Sequence, residues 1–204
     1  MVRPMGLLLS LSLLPLGAGQ KAAPVGAEAD LSYTADGQMR APVHYREWVY
    51  LTSGLDMSYT AAASGEMQMF DNVFVNPAAY REFLKTGAWP DKTVMVLEGR
   101  RAEQKVSINK RGRSQSAGLM GLEVHAKDAK LPGGWGFFEF GPGQDAAKMV
   151  PRTADCYSCH EMHAAVDTTF VQFYPTLIGV ATAKKTLSPA YLKEIAPEAG
   201  APAK

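Results

Sequence analysis

The sequence has almost no excess of charge, only two cysteines and no long apolar run. Its 204 residues include 21 Lys and Arg against 20 Asp and Glu, a net charge of +1, which argues against a general nucleic-acid-binding protein. Two cysteines cannot build a disulfide framework. No apolar run reaches the roughly 18 residues that cross a bilayer, so a polytopic membrane protein is excluded. The remaining composition, 47% apolar and 9% aromatic, is that of a globular chain rather than a disordered one.

The first residues have the pattern of an export signal. Arg3 supplies a short positive start, residues 7–16 are an apolar stretch of about ten residues, and the small residues 17–19 suit a signal peptidase. A buried core helix is the alternative, but almost nothing precedes this segment for it to pack against. We therefore expect residues 1–19 to be a signal peptide, and the exported mature protein to have no membrane span.

Two further segments are poor in large apolar residues. We expect residues 20–42 to be a flexible N-terminal segment and residues 196–204 to be a flexible tail. The residues between them, 43–195, number about 150 and have the size of a single domain. They contain no internal repeat.

Five short segments rich in β-branched and aromatic residues predict strands. They are residues 48–52, 70–75, 93–98, 119–126 and 135–140. Residues 77–86 repeat apolar side chains at helical spacing between Asn76 and Gly87, which predicts a helix. Because parallel pairs need a crossover helix each time, this pattern predicts a five-stranded antiparallel sheet and an α+β fold. The basic segment 100–113 fits a solvated hairpin loop, which we favour, or a docking patch for an acidic partner.

The residues Cys156-Tyr157-Ser158-Cys159-His160 form a C-x-x-C-H motif, the attachment signature of c-type haem. Two thiols three positions apart lie on one helical turn and reach two vinyl groups at one edge of the porphyrin. His160 then points its imidazole at the iron as the proximal ligand. A zinc half-site would need two further ligands, and a redox dithiol would normally open a helix in a βαβ unit. One covalent haem c (iron) per chain agrees with export and predicts a periplasmic protein, because this haem is attached outside the bacterial inner membrane.

The second axial position of the iron has no obvious ligand. Met162 and His163 follow His160 so closely that neither can reach the opposite face of the haem. His44 and His125 could ligate, although a lone histidine in a strand is more often an ordinary core or surface residue. The upstream methionines are interpreted as core side chains; they are Met57, Met67, Met69, Met95, Met120 and Met149. We therefore expect an open sixth position, which is typical of a ligand-binding haem.

A series of short landmarks surrounds the motif. They are Tyr45-Arg46-Glu47-Trp48-Val49, Val73-Phe74-Val75-Asn76-Pro77 with Tyr80, Lys85-Thr86-Gly87, Asp91-Lys92-Thr93-Val94, Gly121-Leu122-Glu123-Val124, Lys127-Asp128, Trp135-Gly136-Phe137 and Phe170-Val171-Gln172-Phe173-Tyr174-Pro175. In their order and spacing, from about Tyr45 to Leu177, the chain resembles the cytochrome P-460 family and its relatives, the beta-type cytochromes c′. The resemblance implies a twisted antiparallel sheet with a few helices, haem c on a C-terminal helix, a homodimer and one five-coordinate haem per chain.

Two functions divide this family, and one residue separates them. The P-460 enzymes bond a lysine to the porphyrin edge and oxidise hydroxylamine, whereas the beta-type cytochromes c′ lack that bond and bind nitric oxide and carbon monoxide. The resemblance places Leu97 at the position of that lysine, and Asp71 where some P-460 enzymes have a distal arginine. Lys92 lies five residues earlier, on the other side of the strand by alternation, and is a poor substitute.

The sequence therefore favours a haem c cytochrome that binds nitric oxide or carbon monoxide and exchanges electrons with a periplasmic redox partner. In this hypothesis Cys156 and Cys159 carry the haem, His160 ligates its iron and Leu97 forms part of an apolar distal wall. The alternative is a hydroxylamine-oxidising or peroxidase-like enzyme in which Asp71 accepts a proton near the bound ligand. A plain electron carrier, the third class, would need a hidden sixth ligand.

Overall fold

The computed structural model describes residues 31–59 and 68–197. The predicted signal peptide, the first part of the N-terminal segment, Met67 and most of the predicted tail lie outside the described residues. The strands are β1 (Met39–Arg40), β2 (Val49–Leu55), β3 (Met69–Val75), β4 (Val94–Glu103), β5 (Ser114–Lys127), β6 (Trp135–Phe140) and β7 (Ala146–Ala147); the helices are α1 (Pro77–Thr86), α2 (Asp155–His163), α3 (Ile178–Lys184) and α4 (Pro189–Glu194). Three 3-10 turns add Tyr45–Glu47, Pro132–Gly134 and Val171–Phe173. None of the described helices has the length and apolarity that a membrane span requires.

Strands β2 to β6 form one sheet in which each strand pairs antiparallel with its neighbour along the chain. This confirms the predicted α+β fold and its five-stranded antiparallel sheet. Helix α1 and strand β6 have the predicted bounds. Gly87 ends α1 with a left-handed φ of 74°, a conformation that costs glycine little and other residues more.

Strands β4 and β5 extend further into the basic segment than predicted. Arg100 and Arg101 belong to β4, and β5 begins at Ser114, so the connecting loop is only 104–113. Polar side chains give a weak strand signal in the sequence, whereas pairing along the β4–β5 ladder supplies the backbone hydrogen bonds that hold them extended. The cations in the remaining loop are exposed, as expected of a solvated loop.

The sheet buries apolar side chains on both faces. On one face the core includes Val73 and Met95 of the sheet together with Phe83 of α1 and Leu177 before α3. The other face packs against the N-terminal residues, where Met39 of β1 is fully buried. Strand β1 pairs with β7, so the folded part of the chain begins before residue 43.

The face away from the helices also holds a buried carboxylate. Glu98 of β4 is 1% exposed and accepts hydrogen bonds from the Tyr45 hydroxyl and from Nε of Arg100, both at 2.5 Å. The Arg46 guanidinium and the Asn72 amide also donate to it. A buried charge is tolerated only when it is paired and hydrogen-bonded. This network therefore ties the first 3-10 turn to the middle of the sheet.

Candidate functional site

The C-x-x-C-H motif lies on helix α2, as its spacing predicts. Residues three and four positions apart share one face of a helix, so Cys156, Cys159 and His160 are neighbours on one side of α2. Both cysteines are free and half-buried. Burial, with smaller contributions from two nearby carboxylates, raises the pKa of the Cys156 thiol.

Tyr157, inside the motif, anchors this helix to the sheet. The side chain is buried, and its hydroxyl donates to the Val150 carbonyl oxygen at 3.1 Å and accepts from the Phe137 N–H at 3.3 Å. On its other side, the Arg152 guanidinium lies 4.2 Å from the ring centroid, a cation–π distance. These contacts fix the direction in which α2 presents its neighbouring cysteines and histidine.

A cavity of about 310 Å³ lies between the helix-covered face of the sheet and the residues that follow α2. This volume is at the lower end of the range for small-molecule sites. All five strands of the sheet contribute to its wall, and His160 borders it from α2. One residue from each strand illustrates the wall: Thr52 of β2, Asp71 of β3, Leu97 of β4, Glu123 of β5 and Phe137 of β6.

His160 is held in one orientation at the edge of this cavity. Its Nδ1 lies 2.7 Å from the Thr168 carbonyl oxygen, which can only accept, so Nδ1 carries the proton and Nε2 is left to bind a metal. The ring contacts those of Phe170, Phe137 and His125, with centroids 4.1, 4.7 and 5.2 Å away. Burial lowers the pKa of His160 despite the opposing effect of this hydrogen bond, which favours the neutral imidazole that ligates iron.

Leu97 lies in the wall of the same cavity, where the sequence suggested an apolar distal residue. Its cross-strand neighbour on β3 is Val73, which also lines the cavity. Among the described residues no lysine lines the cavity. Lys92 precedes β4, and its Nζ lies 2.5 Å from an oxygen of Asp128, away from this wall. Lys127 donates from Nζ to the Trp89 carbonyl oxygen at 2.7 Å.

Two carboxylates interrupt the apolar lining. Asp71 lies where the sequence placed a proton acceptor, and its Oδ1 is buried without a hydrogen-bond partner. Burial, and then the nearby Asp56, raises the pKa of Asp71. Glu123 is exposed toward the cavity; partial burial, then Glu139 and Asp71, raises its pKa as well. The sequence analysis missed Glu123, although strand alternation places it on the same face as His125.

The other imidazoles lie at different places. His44 is exposed beside Glu47, and His163 pairs with Glu194 at 2.9 Å on the outside of α2. His125 lines the cavity but lies beside His160, and its Nε2 is 3.2 Å from the Thr168 hydroxyl. Burial lowers the pKa of His125 well below its ordinary value, so this ring is neutral.

Three of the methionines assigned to the core line the cavity. Met95 is 4% exposed and fits that assignment; its sulfur accepts from the Tyr174 hydroxyl at 4.0 Å. Met57 and Met69 also line the cavity, but Met57 is exposed and Met69 is only half-buried, so the assignment to the core is wrong for Met57. The register of the sheet brings Met69 to the cavity, and the path of the chain after β2 brings Met57 to it. The spacing of these methionines in the sequence did not predict that position.

The side chains at this site fit a covalently held haem. Two free thiols and a neutral imidazole with a free Nε2 share one side of α2, next to a largely apolar cavity. A search of the curated proteins finds no match. A family model described as Cytochrome P460 matches residues 42–171. That range contains the whole five-stranded sheet, helix α2 and the turn that receives the His160 hydrogen bond.

Proposed function

The chain belongs to the cytochrome P460 family, and on this basis we propose that it is an exported mono-haem c cytochrome that binds nitric oxide or carbon monoxide. Membership of the family makes it a haem cytochrome. The proposal adds covalent attachment, an open axial position and the class of ligand. When bound, the haem supplies an iron that takes small ligands and exchanges electrons.

Three residues of α2 would hold the haem. Cys156 and Cys159 would form the thioether bonds, and Nε2 of His160 would ligate the iron. The hydrogen bond from Nδ1 of His160 to Thr168 supports this role, because metal-bound imidazoles usually donate their other N–H to a fixed acceptor. The rings of Phe137 and Phe170, packed against His160, shield part of its imidazole from water.

Leu97 is the main reason for proposing nitric oxide or carbon monoxide as the ligand. Together with Val73 and Met69 it gives the cavity an apolar wall, which offers no hydrogen bond to water or to another polar molecule. Nitric oxide and carbon monoxide need no such bond. Leu97 also has no nucleophile that could bond to the porphyrin, and the lysine nearest to it along the chain, Lys92, is engaged with Asp128.

The two carboxylates favour a second candidate, a hydroxylamine-oxidising or peroxidase-like activity. Asp71 has an unpartnered buried oxygen, and Glu123 faces the same cavity. A carboxylate with a raised pKa is a suitable base for a proton leaving a bound substrate at neutral pH. In hydroxylamine oxidation Asp71 or Glu123 would hold that proton while the electrons pass to an acceptor outside the chain.

Ligand binding and turnover can be compared on one preparation. Carbon monoxide and nitric oxide should bind the reduced protein, whereas hydroxylamine with an artificial electron acceptor should give little or no turnover. Rapid hydroxylamine oxidation that is lost in Asp71→Asn or Glu123→Gln would favour the enzyme instead. A reduced protein that binds neither gas would favour the electron carrier.

Export, location and assembly belong to the same proposal. Cell fractionation should find the mature chain in the periplasm, with an N-terminus near Gln20. Light scattering should give the mass of a homodimer. A periplasmic electron-transfer protein is the expected redox partner.

A further inference from the structure

The proximal hydrogen bond of His160 ends on a tight turn after helix α2. The acceptor is the backbone carbonyl of Thr168, so its position depends on the backbone of the turn. Val166 and Thr169 pair with each other across this turn, and Asp167 between them has a left-handed φ of 51°. Contacts from outside the turn help to keep such a residue in place.

Three consecutive residues of the turn are held by side chains from the sheet and the loop before β4. The pairs are Lys127 with Asp167 at 3.1 Å, His125 with Thr168 at 3.2 Å, and Trp89 with Thr169 at 2.8 Å. The contact between His125 and Thr168 acts on the residue whose carbonyl oxygen accepts the hydrogen bond from His160. Of the three contacts it therefore has the most direct effect on that hydrogen bond.

His125 is well placed to fix Thr168 because its own ring has little freedom. It is 8% exposed and stacks on Phe137, with centroids 4.0 Å apart and planes at 14°. Trp135 lies on it as well, at 4.4 Å. Strands β5 and β6 thus determine where Nε2 of His125 lies, and Nε2 in turn meets the Thr168 hydroxyl.

We propose that His125 is a positioning residue for the haem iron: through the Thr168 hydroxyl it holds the Thr168 carbonyl against Nδ1 of the proximal His160. The inference rests on the proposed function, since it requires His160 to ligate iron. An imidazole that donates Nδ1–H to a fixed carbonyl is the more basic ligand and favours the ferric state. Loss of the His125–Thr168 contact should weaken that bond and shift the equilibrium toward the ferrous state.

The test compares His125→Phe, which keeps an aromatic ring, with Thr168→Val, which keeps the shape of the side chain. Both are made in the full haem-loaded chain, and the readouts are the reduction potential and the iron–histidine stretching frequency of the ferrous protein. We expect both variants to change the ferric–ferrous equilibrium on the order of tenfold, which is about 59 mV for a one-electron couple, and to lower the stretching frequency. Thr168→Ser keeps the hydroxyl and should restore both values.

A double variant shows whether the two side chains act as one contact. His125→Phe combined with Thr168→Val should shift the potential no further than either change alone, because the contact can be lost only once. The matched control is Thr182→Val, which removes a threonine hydroxyl bonded to a backbone carbonyl on the exposed side of α3. It should leave the potential unchanged.

A haem-loaded Thr168→Val protein with the potential and stretching frequency of the wild type would overturn the proposal. This variant decides the matter even where His125→Phe does not fold, because Thr168 is only half-buried. A wild-type chain without covalent haem on a denaturing gel would overturn the proposed function, and this inference with it. That result is distinct from unchanged properties in a loaded variant.

Discussion

Leu97 of β4 and Glu123 of β5 are cross-strand partners, and both side chains face the cavity that His160 borders. Side chains of directly paired residues start about 5 Å apart, so a ligand that contacts one is close to the other. The apolar member suits a neutral diatomic gas. The ionisable member suits a substrate that must lose a proton. This pair is therefore where the two candidate functions diverge.

Leu97→Lys would place an amine at the centre of that wall. We expect the haem-loaded variant, after treatment with hydrogen peroxide, to develop the strongly red-shifted Soret band of a lysine-bonded haem, because the long amine-bearing side chain can reach the porphyrin edge. Loss of the partly buried leucine should also cost about 1 kcal/mol of stability. The visible spectrum and the mass of the haem peptide measure the bond.

The matched control for this change is Leu97→Met, which keeps the apolar volume and has no nucleophile. It should keep the ordinary c-type spectrum under the same oxidant. An unchanged spectrum in Leu97→Lys would mean that residue 97 does not face the porphyrin.

Either thiol of α2 should be enough to keep the haem covalently attached. Cys156→Ala and Cys159→Ala should each retain one thioether bond, so haem stain should persist on a denaturing gel, and the double variant should lose it. Ser158→Ala, on the exposed side of the same turn, should stain like the wild type. Stain that survives in the double variant would show that the haem is held through another residue.

Asp71 should make folding stability depend on pH in a defined direction. Its pKa is raised in the folded protein, so protonation favours folding, and this stabilisation is lost as the pH rises through the folded pKa. At neutral pH the free energy of unfolding of Asp71→Asn should therefore be about 1 kcal/mol higher than that of the wild type. The substitution removes the negative charge of a carboxylate whose own Oδ1 is buried without a hydrogen-bond partner. Below the ordinary value of 3.8 the difference should vanish. Urea unfolding at the two pH values measures it.

Glu123→Gln should change stability in the same direction but by less, because Glu123 is exposed toward the cavity. Asp145→Asn, an exposed position, serves as the control and should follow the wild type at every pH. An Asp71→Asn protein that is less stable than the wild type at neutral pH would contradict the raised pKa.

Glu98 should be a main support of the sheet. Glu98→Gln removes the charge that Arg46 and Arg100 share, and leaves Arg100, of which 14% is exposed, without its charged partner. The expected loss in the free energy of unfolding is about 3 kcal/mol, measured by chemical denaturation. Glu103→Gln, at an exposed position of the same strand, should change it by less than about 0.5 kcal/mol. Equal stabilities for the two variants would contradict the role of the network.

Local signals predicted the elements whose ends are marked in the sequence. Helix α1 begins at Pro77, directly after Asn76, and ends before Gly87. These residues act only on the ends of the helix beside them, so a local pattern is enough to predict its bounds. The haem motif carried its own helical spacing, and α2 includes it. Strand β6 stood out because its aromatic run is bounded by glycine on both sides.

The parts of the site that the sequence did not predict depend on contacts between residues that are distant along the chain. Glu123 enters the cavity because β5 pairs with β4 in a register that places it opposite Leu97, and no local pattern sets that register. The Thr168 carbonyl meets His160 through a turn eight residues further along the chain. Backbone acceptors of this kind leave no mark in side-chain composition. Met69 reached the cavity through the same register.

The visible spectrum of the ferrous protein, recorded before and after carbon monoxide is added, tests the central claim most directly. A haem held by His160 with its second axial position open should give a five-coordinate, high-spin ferrous spectrum. Carbon monoxide should convert that spectrum to the sharp bands of a six-coordinate, low-spin complex. A ferrous protein that is already six-coordinate and low-spin, and that carbon monoxide leaves unchanged, would contradict the account and point to a protein ligand such as Met69 on the iron.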